Sequence, residues 1–253
     1  MIQTNTCYHF QYLPMGMRML FTSTLIILGT GYLFAMVHIF ASHAGRDGNP
    51  GISANDLMIA YSGSKTDTRL EAALKGPMAN MLPDGEKVEI SAWVRGGKQM
   101  DVYERSIAPI ISNRCADCHD GSNPHIPKLL GYEDLSNVAE MDTGMDLFTL
   151  VRVSHIHLFG ITFIFFILSS IFIHSYIKPL WVKCALIALP FLSIFLDIAS
   201  WYLTKMYPPF AYVVIGSGAL MGTTFAIQWI TSMYQMWFYK LPPEVTDNNG
   251  AVS

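Results

Sequence analysis

Charged side chains are scarce in this chain. Asp, Glu, Lys and Arg make up 14% of its 253 residues, whereas 51% are hydrophobic. This composition excludes an ordinary soluble domain of this size and favours a membrane protein. The basic residues form no dense cluster and the formal net charge is -3, so nucleic acid is not an expected partner. The chain has four cysteines, of which Cys7 and Cys184 stand alone, so a disulfide scaffold is not expected either.

Long apolar runs occur at four places. A helix needs about 20 mostly apolar residues to cross about 30 Å of hydrocarbon. The predicted spans are residues 19–41, 153–176, 180–203 and 210–238. The first run exceeds the apolar part of a usual signal peptide, so we predict that it is a retained anchor. The expected fold class is an all-α membrane protein with four transmembrane helices.

These spans divide the chain into parts with different surroundings. Residues 1–18 and 239–253 are predicted to be a cytoplasmic N-terminal segment and a cytoplasmic tail, because Lys and Arg in the short flanks are slightly biased to that side. Residues 42–152 form a polar stretch between the first span and the other three, which occupy residues 153–238. The polar stretch is long enough for a small domain of its own.

One short motif in the polar stretch indicates the chemistry. Residues 115–119 read Cys-Ala-Asp-Cys-His, the C-x-x-C-H pattern of c-type haem attachment. Cys115 and Cys118 can add to the two vinyl groups of haem, and His119 can reach the iron from the same face. A structural zinc site would need a second ligand pair. A thioredoxin-like redox pair would need an α/β context, which is missing here. We therefore predict one covalent haem c, and place residues 42–152 on the periplasmic side, where such haem is attached.

The polar stretch resembles a class I type cytochrome c domain, a small all-helical wrapper around one haem. The resemblance covers about residues 54–139. Residues 110–114 are similar to the helix that precedes many haem attachment sites. Met81-Leu82-Pro83, followed by residues 86–94, is similar to the Met-Pro loop and final helix of such domains. In the family that loop follows the attachment motif, so the order here leaves open a permuted domain, a duplicated and partly degenerate one, or a different arrangement.

This order also leaves the sixth ligand of the haem c iron open. His125, which lies close to His119, is our first choice. The alternatives are methionines, which are suggested by the Met-Pro resemblance or by their position after the motif. Methionine ligation raises the reduction potential and histidine ligation lowers it. The methionine candidates are Met78, Met81, Met141 and Met145.

Three histidines occupy similar predicted depths in two spans. His38 lies about one turn inside the outer end of the first span, and His155 and His157 lie in the first turns of the second. One histidine from each helix, His38 with His157, could hold the iron of a haem b. Only one of His155 and His157 can face a given neighbour, since residues two apart point about 200° apart. The alternative is interfacial histidines bonded to water or carbonyls; His43, just outside the first span, is a weaker ligand candidate.

Asp197 is the most costly residue in the predicted spans. A carboxyl group at this depth must be paired, protonated or hydrated. Asp197 could orient a ligating imidazole or act as the proton acceptor in quinol oxidation. The alternative is a simple hydrogen bond between helices.

Together these features predict an electron-transfer subunit of a respiratory or other energy-transducing complex in the bacterial cytoplasmic membrane. No nucleophile triad or further metal cluster is evident in the sequence, so a larger oxidoreductase complex is the expected setting. The expected partners are membrane lipid, other subunits of that complex, and a soluble electron carrier or quinone. Two other hypotheses remain: a quinol-oxidising cytochrome b/c subunit, and a haem-based sensor or assembly scaffold.

Overall fold

The computed structural model describes residues 8–124 and 126–243. The regular secondary structure of these residues is helical, and no β-strand occurs in the described ranges, where an isolated bridge pairs Thr68 with Met141. A π-helical turn, Tyr103–Ile107, joins α5 to α6, and short 3-10 helices lie at Phe10–Tyr12 and Pro208–Phe210. The α-helices are α1 (Met15–His43), α2 (Ala54–Ser62), α3 (Arg69–Lys75), α4 (Asp84–Arg95), α5 (Met100–Val102), α6 (Ala108–Arg114), α7 (Tyr132–Val138), α8 (Leu147–Phe172), α9 (Leu180–Met206) and α10 (Ala211–Trp237).

Four helices are long and apolar enough to cross a membrane, namely α1, α8, α9 and α10. The predicted number of spans and the all-α class are thereby confirmed. The bounds differ most at α8, which begins at Leu147 rather than at residue 153 and ends at Phe172 rather than at 176. A helix can continue through polar residues such as Arg152 beyond the hydrocarbon, because its backbone hydrogen bonds are internal.

The chain folds into two compact units. The membrane unit takes in the described residues of Met1–Val37, Leu147–Leu203 and Phe210–Ser253. The polar unit takes in His38–Asp146 and Thr204–Pro209. Its apolar core is formed mainly by α3, α4, α7 and the helical residues 100–114, with Ile90, Ile107 and Leu135 almost completely buried.

Two capping boxes begin helices of the polar unit. Thr68 caps α3, and its backbone and hydroxyl groups both donate to Glu71. The buried Glu71 carboxylate also accepts from Arg95 Nε at 2.9 Å, which links α3 to α4. Ser53 caps α2 with Asp56: Ser53 N donates to the Asp56 carboxylate, and Asp56 N donates to the Ser53 hydroxyl. These side chains satisfy helix-end groups that would otherwise lack partners.

A proline in the membrane unit explains one polar contact between helices. Pro190 lies inside α9 and has no N–H to donate to the Leu186 carbonyl one turn earlier. The Gln228 amide on α10 donates to that carbonyl instead, with an Nε2 to oxygen distance of 2.7 Å. The Gln228 Oε1 accepts from Ser169 on α8 at 3.0 Å. One fully buried side chain therefore joins three membrane helices.

Replacing Gln228 by leucine is expected to destabilise the membrane unit by about 1–2 kcal/mol, because the Leu186 carbonyl then has no donor. The measurement is the unfolding transition of the full chain in detergent micelles titrated with SDS, followed by circular dichroism. The matched control is the same substitution in a Pro190→Ala background, where the new backbone N–H supplies the missing donor. An equal loss of stability in both backgrounds would contradict the explanation.

Candidate functional site

The C-x-x-C-H motif lies in the polar unit, directly after α6. Ile107 and Ile111 anchor the preceding helical residues in the core. The backbone then makes one further turn, in which His119 N donates to Cys115 O at 2.9 Å and Cys118 N donates to the same oxygen at 3.2 Å. Both thiols and the imidazole consequently belong to a single turn, as the motif requires.

The two motif cysteines have different surroundings. Cys115 is half-buried and packs against the apolar core, whereas Cys118 is exposed. Burial, followed by the nearby Glu86 carboxylate, raises the pKa of the Cys115 thiol. A raised pKa leaves less thiolate at a given pH, and the thiolate is the reactive form.

In apoprotein made without haem attachment, Cys118 is expected to be alkylated several-fold faster than Cys115 near pH 8. The physical reason is the raised pKa of Cys115 together with its burial. Iodoacetamide labelling followed by peptide mass spectrometry measures both rates. The Glu86→Gln variant should speed the labelling of Cys115 and leave Cys118 unchanged; equal rates for the two wild-type thiols would count against this account.

The imidazole of His119 is held by a backbone carbonyl. Its Nδ1 lies 2.6 Å from the carbonyl oxygen of Pro127, and Leu129 N donates to His119 O at 2.9 Å. A carbonyl oxygen can only accept, so Nδ1 carries the hydrogen, and in the neutral imidazole Nε2 has the free lone pair. Metal-ligating histidines are typically oriented in this way through their second ring nitrogen. Pro127 was not among the predicted site residues; the available signal in the sequence was a proline eight residues after His119.

An open surface depression adjoins the segment that holds His119. Leu130, next to the Leu129 that bonds to His119, and Met100 on α5 contribute apolar side chains that are about half exposed. Exposed apolar groups grouped in this way mark a binding surface more often than isolated ones do. The depression is lined by Met100, Lys128 and residues 130–134.

The structure does not select the sixth ligand. His125, our first choice, lies outside the described residues. Met78 is half-buried against the core and Met81 is 63% exposed. Met141 is exposed and bridges to Thr68 through its backbone, and Met145 N donates to the carbonyl of Ala60. In the described ranges, no group of three or more His, Cys, Asp or Glu residues forms a metal cluster.

The histidines of α1 and α8 differ in their contacts. His157 is half-buried, its Nδ1 lies 2.9 Å from the Val153 carbonyl, and its ring meets Trp201 edge-on at 5.3 Å. His155 is exposed on another face of α8. In the polar unit, His38 is exposed and its Nε2 lies 3.5 Å from the Ser42 hydroxyl. The half-buried His43 has a buried Nδ1 that lacks a hydrogen-bond partner within the described ranges.

Asp197 is buried in α9, in the membrane unit. Its Oδ1 lies 3.0 Å from the hydroxyl oxygen of Ser217 on α10. The sequence analysis identified the carboxyl but could not identify this partner, which is 20 residues away on another helix.

Comparison with known proteins supports the membrane assignment. A family model described as a transmembrane helical domain matches residues 128–243, which include α8, α9 and α10. The match covers less than half of the chain and does not include the C-x-x-C-H motif. Neither the curated proteins nor the solved structures gave a match. The chain is thus similar to a transmembrane helical domain over its last three spans.

Proposed function

We propose that this chain is a membrane-anchored c-type cytochrome that acts as an electron-transfer subunit of an energy-transducing complex. The observation that carries the proposal is the orientation of His119 by the Pro127 carbonyl, on the same turn as Cys115 and Cys118. A zinc pair or a simple dithiol would not need an adjacent imidazole with Nε2 available. The thiol pair, the oriented imidazole and the adjoining depression with its two exposed apolar side chains fit a covalently attached haem.

Each residue has a separate role in this proposal. The thiols of Cys115 and Cys118 attach the group by two thioether bonds, and His119 presents Nε2 to the iron. The Pro127 carbonyl fixes the ring orientation and makes the imidazole a better electron donor. Leu130 and Met100 would offer apolar contacts to the group on one side of the depression. When bound, haem c supplies a one-electron iron couple, whose potential depends on the second axial ligand.

The proposed location follows from the same chemistry. Covalent haem attachment outside the cytoplasmic membrane would place the polar unit in the periplasm of a bacterium, with α1, α8, α9 and α10 in the inner membrane. Multi-pass helices of this length contact lipid on their apolar faces, and many large apolar side chains of α1 are exposed. Other subunits and a soluble carrier or quinone are the proposed redox partners.

The proposal is tested on full-length protein purified from a host that attaches haem to periplasmic proteins. We expect one covalent haem per chain, seen as peroxidase stain on a denaturing gel and as a c-type pyridine haemochrome. The Cys115→Ser/Cys118→Ser variant should lose both signals, and Cys184→Ser, which changes an exposed cysteine outside the motif, should retain them. A wild-type band without covalent haem would overturn the proposal.

We further propose a haem b with His157 as an axial ligand, which would suit a quinol-oxidising cytochrome b/c subunit. The favouring observation is that His157 Nδ1 donates to the Val153 carbonyl and leaves Nε2 available. The same haemochrome spectrum counts b-type haem separately. We expect His157→Ala to remove the b-type signal and to retain the covalent haem, while His155→Ala retains both. A wild-type spectrum with c-type haem alone would exclude this part.

A further inference from the structure

Asp197 has polar neighbours but no cationic partner. None of the ion pairs formed by the described residues includes it, although it lies about nine residues inside the end of a membrane helix. Its side chain is buried, and its carboxyl group contacts the Ser217 hydroxyl on α10. An ionised carboxylate without a cation is very costly inside a membrane helix. The stability of the contact therefore depends on how many hydrogens Asp197 and Ser217 hold between them.

The hydrogen bonds of Ser217 decide where that proton lies. The Ser217 oxygen is 2.7 Å from the Val213 carbonyl, 3.1 Å from the Val214 carbonyl and 3.0 Å from Asp197 Oδ1. A hydroxyl has one hydrogen, and carbonyl oxygens can only accept. We assign that hydrogen to the shortest contact, the bond from Ser217 to the Val213 carbonyl one turn earlier on α10. The contact with Asp197 is then a hydrogen bond only if the carboxyl group is protonated and donates.

Further hydroxyls extend along the same face of α9. Ser193 and Ser200 lie one turn on either side of Asp197 and are completely or almost completely buried. The Ser200 hydroxyl donates to the Asp197 carbonyl at 2.7 Å, and Ser193 donates to Leu189 at 2.8 Å. Both oxygens keep lone pairs that can accept a further hydrogen. On α8, the titratable group His157 contacts Trp201, which lies one turn after Asp197 on α9.

We propose that Asp197 and Ser217 form a proton-binding site inside the membrane unit. Asp197 holds a proton in the resting state and exchanges it along the buried serines of α9. When the proton leaves, the Ser217 hydrogen turns from the Val213 carbonyl to Oδ1, so the carboxylate gains a donor without any helix movement. The ligand is a proton alone, and the inference does not depend on the presence of haem.

The test is infrared spectroscopy of the full-length chain in lipid vesicles at pH 7. An exposed aspartate is ionised at this pH, so a carbonyl band of a protonated carboxylic acid identifies a group such as Asp197. We expect the wild-type band to disappear in Asp197→Asn and to shift after transfer to deuterium oxide. In Ser217→Ala the band should remain but move to higher frequency, because the acid loses its acceptor. Asp117→Asn, an exposed residue, is the matched control and should leave the band unchanged.

Each outcome decides the inference independently of the haem proposal. The absence of an acid band in wild type, or its persistence in Asp197→Asn, would overturn it. A band that does not respond to deuterium oxide would also overturn it, because the proton would then be part of a static hydrogen bond. If Asp197→Asn fails to insert into the membrane, the frequency shift in Ser217→Ala supplies the assignment, and no shift would reject the pair.

Discussion

Replacing His119 by alanine is expected to reduce the haem content of the purified chain by about tenfold or more and to abolish the low-spin spectrum of any haem that remains. The reason is that His119 is the only imidazole on the turn that carries the two thiols, and its Nε2 is directed by the Pro127 carbonyl. In the proposed cytochrome, the iron would then lack its axial imidazole. The visible spectrum and the haem-to-protein ratio of detergent-solubilised protein measure both effects.

The matched control for this substitution is Asp117→Asn, which changes an exposed residue on the same turn. We expect it to have the wild-type haem content and spectrum. Far-UV circular dichroism of both variants separates loss of haem from loss of fold. A His119→Ala protein with unchanged haem content and a low-spin spectrum would mean that a different residue ligates the iron, and the assignment of the site would be wrong.

Replacing Gly144 by alanine is expected to destabilise the polar unit by about 2–5 kcal/mol. A Cβ on Gly144 would lie 2.4 Å from the Tyr61 carbonyl oxygen, and its φ of +70° is in the left-handed region. On the opposite segment, a Cβ on Gly63 would lie 2.2 Å from the Asp142 carbonyl oxygen. Two backbone segments therefore cross with no space for a side chain on either. Thermal unfolding of the full chain, followed by near-UV circular dichroism, measures the loss.

Gly48 provides the matched control, because its φ is +87° but a Cβ there would meet no atom within 4 Å. Gly48→Ala is expected to destabilise the polar unit by only about 1–2 kcal/mol, which is the cost of a side chain in the left-handed backbone conformation. The difference between the two variants isolates the close approach of the backbones. Equal losses would indicate that the crossing at Gly63 and Gly144 is looser than the structure has it.

Much of the fold could be predicted because its determinants are local. The apolar runs are long enough to specify four membrane helices whatever their neighbours are, and the structure confirms their number. The bounds of α8 were predicted less well, since hydropathy locates the hydrocarbon rather than the helix ends. In the candidate site, the spacing of Cys115, Cys118 and His119 predicts a single turn, and the backbone hydrogen bonds form that turn.

The sequence by itself determined the membrane character of the chain, the number of spans and the grouping of two thiols with one imidazole, because each depends on residues within a few turns of one another. Only the tertiary structure decided three contacts. The Pro127 carbonyl accepts from His119, and Gln228 donates to the Leu186 carbonyl that Pro190 cannot reach. The third contact joins Ser217 to Asp197. The tertiary structure also decided that His157, rather than His155, meets Trp201. The physical reason is that loop closure and helix packing choose these partners, and neither is encoded in the spacing of neighbouring residues.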